Sequence, residues 1–422
     1  MPSFFVRLGI MSIPGEAVPM RVAFMRLRPL LLLAALVLLA APLVTRFAGP
    51  IIYQSTASSP GQTRAPAPAS KLAVTVETVA KGLEHPWGLQ FIGDSRMLVT
   101  ERSGPMRIID ASGSLSPPIA GLPPVSSSGQ GGLLDVALDP KFSSNSLIYW
   151  TYAEPRSDGK SGTSVARGKL VIEGTAGTTK GRVEAATVIF RQDSAGTTQH
   201  YGSRLVFGRD GSLFVALGER NLKAPAQDLS NTFGKVVRIR PDGSVPNDNP
   251  FVGKAAVRPE IWSSGHRNIQ AAALHPTSGK LWTIEHGPRG GDEINVPLAG
   301  KNYGWPVIGY GIDYSGEKMH ASTTKDGMEQ PIYFWTPSIA PSGMAFYTGS
   351  AAEWAGNLFV GALAGQHLSR LVLDGERIVA EEKLLVDLGE RIRDVRMGPD
   401  GAIYVLTDDP QGRVLRMTPK GK

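Results

Sequence analysis

The chain has no cysteine among its 422 residues. Disulfides, thiolate metal sites and cysteine nucleophiles are therefore excluded, and the redox compartment is left open. Long helical periodicity is also missing: apolar residues do not keep the three- and four-residue spacing of an amphipathic helix over any extended stretch. A disordered composition is missing too. Hydrophobic residues make up 42% of the chain, with 49 glycines and 32 prolines, which suits a folded, turn-rich protein. The body of the chain also lacks the charge excess that the formal net charge of +7 suggests. Before residue 72, Arg7, Arg21, Arg26, Arg28, Arg46, Arg64 and Lys71 face only Glu16. The rest of the chain is close to neutral, so the basic isoelectric point is no argument for nucleic-acid binding.

One apolar run stands out. Residues 30–44 read LLLLAALVLLAAPLV behind Arg21, Arg26 and Arg28, the pattern of a secretory signal. The run is shorter than the roughly 18 apolar residues of a membrane span, and Pro42 and Arg46 weaken a spanning reading further. Met20 or Met25 makes a more typical start than Met1. No clean small-x-small cleavage site comes after the run, so an uncleaved anchor is the alternative. Residues 1–50 are thus expected to be a signal peptide or N-terminal membrane anchor, with the protein exported to the periplasm. Residues 51–70, rich in Pro, Ala and Ser, are expected as a flexible linker, and residues 71–422 as the folded domain.

Within that domain one phrase recurs: a short apolar strand, a turn rich in Asp, Pro and Gly, then a second apolar strand. It occupies residues 87–101, 132–152, 203–219, 270–287, 342–362 and 393–409. Leu213, Val215 and Leu217 alternate with Phe214 and Ala216, which predicts strands with one buried and one less buried face. Turns such as Pro399-Asp400-Gly401 fit tight hairpins. Repeats of this size predict an all-β, six-bladed β-propeller of four-stranded antiparallel blades; a β-sandwich with accidental similarity is the rival.

Propellers carry ligands on loops at one end of the channel, so polar clusters beside the repeated strands are the candidate site. Gln130 lies among glycines that let the backbone approach a planar ligand, or form an ordinary flexible turn. His200, at a loop-to-strand junction, is a candidate general base or a structural histidine. Arg267 and Asn268 offer charged and neutral donors to carbonyl or carboxylate oxygens. Residues 285–295 (EHGPRGGDEIN) set acidic groups in a glycine-rich loop, a pattern that suits a hard cation without EF-hand spacing, or a polar loop with local turns. Arg391 and Arg393, two apart on a strand, point the same way. They fit a ligand with several carboxylates, or are paired with the chain's own Asp or Glu.

The ordered motifs GQxGLL, HxGxRLVxGxDG, GHRN, ExGPxxxDEIN, NYGWP and RxRDV resemble those of the soluble quinoprotein sugar dehydrogenases, most closely the aldose sugar dehydrogenase branch, from about Lys81 to the C-terminus. The resemblance implies a six-bladed propeller that binds pyrroloquinoline quinone and Ca²⁺ and oxidises aldoses to lactones. It implies His200 as general base, and Gln130, Arg267, Asn268, Tyr314, Arg391 and Arg393 around the quinone. Gly287 and Pro288 would hold Ca²⁺ through their carbonyls, and Glu293 and Tyr303 a second, structural Ca²⁺. Glu219 would lie near the sugar. Implied partners are an aldose and an electron acceptor that the motifs do not identify; a monomer or homodimer is expected. One departure is clear. The family's lysine toward the quinone, after an apolar strand of the fifth blade, is absent from residues 360–367, where either Gln366 or His367 replaces it or the contact is lost. Two other readings stay open: a non-catalytic propeller that binds a sugar or protein, and a Ca²⁺-dependent propeller lactonase.

Overall fold

The fold is described by a computed structural model, which covers residues 65–93 and 96–420. The expected leader, residues 1–50, lies outside the described residues. Among those described, no helix is long and apolar enough to cross a membrane.

Six antiparallel sheets make up the propeller, five of four strands and one of three. Blade 1 comprises Pro86–Ile92, Arg96–Glu101 and Met106–Ile109. Its expected fourth strand is reduced to a single bridge between Ile109 and Leu115. The chain instead leaves toward blade 2, where Ala120 bridges Arg182 on an outer strand. Blades 2 to 5 open with the strands Leu133–Leu138, Gly202–Phe207, Ile269–Leu274 and Pro341–Phe346. Blade 6 runs Ile392–Met397, Ile403–Thr407, Gly412–Pro419, and is completed by the N-terminal strand Val74–Leu83. That strand pairs with Gly412–Pro419 from Val74 opposite Pro419 to Leu83 opposite Gly412. Joining the N-terminal and C-terminal strands in one sheet closes the ring, leaving only the outermost strand of each blade as an edge.

The first strand of each blade packs against the first strands of its two neighbours, so these six line the channel. Each repeated phrase in the sequence covers the two innermost strands of one blade. The alternation reads differently from expectation. Leu213, Val215 and Leu217 are buried against Ala137, Tyr149 and Phe190 of blade 2. Ala216, on the other face, is buried against Ile269 and Leu281 of blade 4, with Phe214 packed on the same cluster. A blade is sandwiched between two others, so both faces of its strands are covered. The Pro399-Asp400-Gly401 hairpin forms as expected: Gly401 adopts φ +78° and the Asp400 carboxylate accepts from Ala402 N–H at 3.2 Å.

All six innermost strands carry a β-bulge where they leave the site end of the channel. The extra residue is Trp87 in blade 1, Ser203 in blade 3, Gln270 in blade 4 and Arg393 in blade 6. Blades 2 and 5 bulge within Leu133–Val136 and Pro341–Met344. A bulge resets which face successive side chains take. Beyond the bulges the channel is closed by buried charges. Arg204 pairs with Asp135 and Asp394, each at 3.0 Å. Arg396 pairs with the same two carboxylates at 2.7 and 2.8 Å. The backbone N–H groups of Leu205 and Leu89 donate to Asp135 and Asp394, and the Arg204 guanidinium lies 4.2 Å from the centre of the Trp87 ring.

The end of the Pro/Ala/Ser segment is bound to the propeller rather than free. Ala65 N–H donates to the Tyr333 hydroxyl, Glu381 N–H to the Pro66 carbonyl, and the buried Arg370 to the Ser70 carbonyl.

Candidate functional site

A cavity of about 520 Å³ opens at the bulged end of the channel, with Trp87, Gln130, Asn268, His286, Arg391 and Arg393 in its wall. Trp87, Gln270 and Arg393 are the bulge residues of their strands, so the bulges turn the side chains of three blades into one space.

His200 sits beside this wall, one residue before the cavity-lining Tyr201 and Gly202. Its φ of +50° is a conformation that side chains beyond glycine adopt at a cost of about 1–3 kcal/mol. Three contacts hold it there. Its N–H donates to the Gln130 side-chain oxygen at 2.8 Å, its carbonyl accepts from Arg220 N–H, and its Nδ1 lies 2.8 Å from the Glu219 carboxylate. Gly202 is next at φ +68°, and a Cβ there would meet the Gly218 nitrogen at 2.4 Å. Because a carboxylate only accepts, Nδ1 carries the proton and Nε2 keeps its lone pair. No hydrogen bond from the described residues engages Nε2. Burial pushes the imidazole below its ordinary pKa; the Glu219 hydrogen bond opposes this and the Arg267 charge adds to it. The Glu219 contact thus fixes the tautomer and orientation of the His200 ring, and burial favours its neutral form.

Glu219 requires a correction. It is 0% exposed, with one oxygen on His200 and the other accepting from Lys223 N–H at 3.1 Å. It cannot touch a sugar; it orients the histidine.

Arg267 also differs from expectation. Its guanidinium leaves the main cavity and lines a smaller pocket together with Gly287, Pro288, Glu293 and Tyr303. The carbonyls of His286 and Gly287 accept from its Nη1 at 3.1 and 2.9 Å, and Trp305 covers it at 5.1 Å. Asn268 stays in the cavity, its amide oxygen accepting from Gly202 N–H and Gln270.

The four expected metal-binding residues meet in that smaller pocket. Asn295 donates to Glu285 at 3.0 Å and to Glu293 at 3.2 Å. Burial and the Glu285 charge raise the Glu293 carboxyl above its ordinary range. Gly287 has no room for a side chain, since a Cβ would meet the Gly290 carbonyl oxygen at 2.1 Å. Arg267 Nε, Trp305 Nε1 and His320 Nε2 are buried at this pocket without hydrogen-bond partners. Two close carboxylates beside glycine-loop carbonyls fit a hard cation with oxygen ligands. The Tyr303 hydroxyl is already engaged: it donates to the Val296 carbonyl at 2.5 Å and accepts from Leu298 N–H at 2.9 Å. Its main-chain oxygen is the less encumbered donor to a cation. Among the described residues no cluster of three or more His, Asp or Glu side chains is arranged for a metal, so any cation here would rest largely on carbonyls.

Arg391 and Arg393 do converge, and on the chain's own Asp408. Its Oδ2 accepts from Arg393 at 3.0 Å and from Arg391 at 3.3 Å, and its Oδ1 lies 3.1 Å from His85 Nδ1. Tyr314 is 70% exposed and is not part of the cavity wall; its loop is pinned by the backbone pairing of Arg289 with Ile312. The gap left by the missing lysine is not filled. His367 is buried and bonded to the Gly365 carbonyl and Ser369 hydroxyl, Gln366 is exposed, and blade 5 presents Leu363 to the cavity. Sequence reasoning missed Asp408, His85 and His286. Of these only His286, inside the EHGP motif, carried a sequence signal.

The family model for glucose / sorbosone dehydrogenase matches residues 83–416. Aldose sugar dehydrogenase YliI of Escherichia coli is 44% identical over 357 residues, covering 83% of this chain and 95% of the relative. The crystal structure of the soluble E. coli aldose sugar dehydrogenase in its apo form superposes with a TM-score of 0.78 at 45% identity, over 82% of this chain and 100% of that one. The PQQ-bound form of aldose sugar dehydrogenase from Streptomyces coelicolor gives a TM-score of 0.68 at 28% identity, over 83% and 100%. With its six-bladed ring, its bulged channel mouth and a match along nearly the whole propeller, the chain belongs to the glucose / sorbosone dehydrogenase family of soluble quinoprotein sugar dehydrogenases.

Proposed function

We propose that this chain oxidises aldoses at the anomeric carbon to lactones, with pyrroloquinoline quinone and Ca²⁺ as cofactors and His200 as general base. The observation that carries the reading is the His200–Glu219 pair, 2.8 Å apart, at the edge of a cavity whose wall holds Gln130, Asn268 and the Arg391–Arg393 pair. These four residues would hold the quinone; Gly287 and Pro288 would hold the Ca²⁺ that touches it, and Glu293 a structural one. When bound, the quinone accepts hydride and the metal polarises it as a Lewis acid.

His200 supplies the proton chemistry. Nε2 accepts the anomeric hydroxyl proton as hydride leaves C1. Glu219, bound to Nδ1–H, keeps the imidazole in the right tautomer and stabilises the imidazolium that forms. Arg267, bonded to the Gly287 carbonyl in the neighbouring pocket, would hold that carbonyl in place and add positive charge from outside the cavity. The basic and apolar leader supports export to the periplasm, with an electron acceptor there.

Replacing His200 by Ala is expected to cut turnover by at least ~10² while quinone binding to the Ca²⁺-loaded apoprotein stays near wild type. Turnover that survives would remove His200 from the mechanism. Wild-type apoprotein that binds no quinone and reduces no dye with any aldose would favour a non-catalytic propeller or a lactonase.

A further inference from the structure

The arginine pair suggests a strong anion trap, and its actual partners say otherwise. Arg393 is 8% exposed, and it points at Asp408 together with Arg391 and His85. All four side chains line the cavity, as does Asp409. Two guanidinium groups therefore share their corner with two carboxylates. The Arg393 position is fixed independently of Asp408: its Nη1 donates to the Gln270 side-chain oxygen at 3.2 Å and its guanidinium lies 5.8 Å from the Trp87 ring.

We infer that Asp408 is a stand-in counter-ion: it takes the place of a ligand carboxylate whenever none is bound, and an incoming anionic ligand must displace it or share the arginines with it. A buried guanidinium without an anion is strongly destabilising. A protein that must exist both with and without a carboxylate ligand needs such a substitute. Burial alone would raise the Asp408 carboxyl, but Arg393, His85 and Arg391 hold it well below the ordinary range, so the competing charge is present throughout the working pH range. The substitute lowers affinity for the ligand and speeds its release. This inference rests on the proposed quinone site and adds to it a residue that opposes loading.

Asp408→Asn tests it, because Asn still accepts hydrogen bonds from both arginines while losing the charge. Pyrroloquinoline quinone is titrated into Ca²⁺-loaded apoprotein and followed by quenching of tryptophan fluorescence, and thermal unfolding of the apoprotein is measured alongside. The expected result is opposite movement: the Kd falls about tenfold, with a steeper salt dependence, while the apoprotein melts lower. Asp408→Ser provides the same two readouts if the Asn variant does not fold. A Kd that is unchanged or raised in the folded variant overturns the inference and makes Asp408 a plain structural support. Failure of the wild-type protein to bind quinone would instead strike the functional reading itself, so the two failures are distinct.

Discussion

Two groups of arginines face one channel, and a single strand serves both. On Ile392–Met397, Arg393 turns up to the cavity while Asp394 and Arg396 turn into the channel. The bulge at Arg393 makes this possible by resetting the alternation between the two pairs. Below it, Arg204 and Arg396 meet Asp135 and Asp394 in a closed set of two cations and two anions, all held on strands. Above it, Arg267 has a buried Nε with no partner, and Arg391 leaves 45% of its side chain in solvent. The lower group is matched in charge within the protein, and its one gap is Asp394 Oδ1, which lies 3.0 Å from Arg204 without an aligned hydrogen bond. The upper group is held beside loops and incompletely partnered, as expected where a ligand supplies what is missing.

The sharpest way to break the comparison is to remove a charge from the lower group. Asp135→Ala leaves Arg204 and Arg396 sharing one carboxylate and frees the Leu205 N–H. Loss of one partner from a buried ion network costs about 3–5 kcal/mol, so urea unfolding should shift by that much. A much smaller loss would mean that the channel charges are solvated. The next largest effect belongs to the upper group. Glu219→Gln puts a group that can donate against His200 Nδ1, which favours the wrong tautomer, and turnover should fall by ~10² or more with little change in stability. The pH profile provides the second readout. Burial lowers the His200 pKa below its ordinary value, so wild-type kcat/KM should be flat near neutrality and fall only as pH drops through that lowered pKa. The unfolded state binds the proton more readily, so this histidine also costs stability on the acid side. Without the Glu219 charge the acid limb should move lower still.

Much of this was legible in the sequence, and the failures have one physical source. The repeat of apolar strand, turn and apolar strand marks the two inner strands of every blade, because those strands are buried on both faces and pair locally. Four of the phrases begin at the bulge residues Trp87, Ser203, Gln270 and Arg393, yet nothing in a two-residue alternation announces a bulge. The outer strands were harder: blade 1 has lost one, and blade 6 takes its outermost strand from the other end of the chain, a pairing that no local pattern encodes. In the site, His200, Gln130 and Asn268 came together because their motifs sit directly before innermost strands. Glu219 was placed at the sugar because its position, not its burial, could be read. The Asp408 contact joins residues 15 to 323 positions apart, beyond the reach of spacing arguments, and so the alternative of a self-paired arginine couple could only be left open.

The finest test separates the two arginines of the upper group. Both reach the same Asp408 oxygen, but the Arg393 side chain is 10% exposed and that of Arg391 45%. An exposed ion pair is worth at most about 1 kcal/mol, so Arg391→Gln should change apoprotein stability by less than that. Arg393→Gln removes a buried cation from Asp408 and Gln270, and should destabilise by several-fold more. Both variants should weaken binding of an anionic ligand, Arg391→Gln the less because water and salt already screen it. Equal stability losses in thermal unfolding would contradict the difference in burial. Equal and large losses in ligand affinity, with unequal stability, would show that the ligand covers Arg391 and takes over the role that solvent has before it binds.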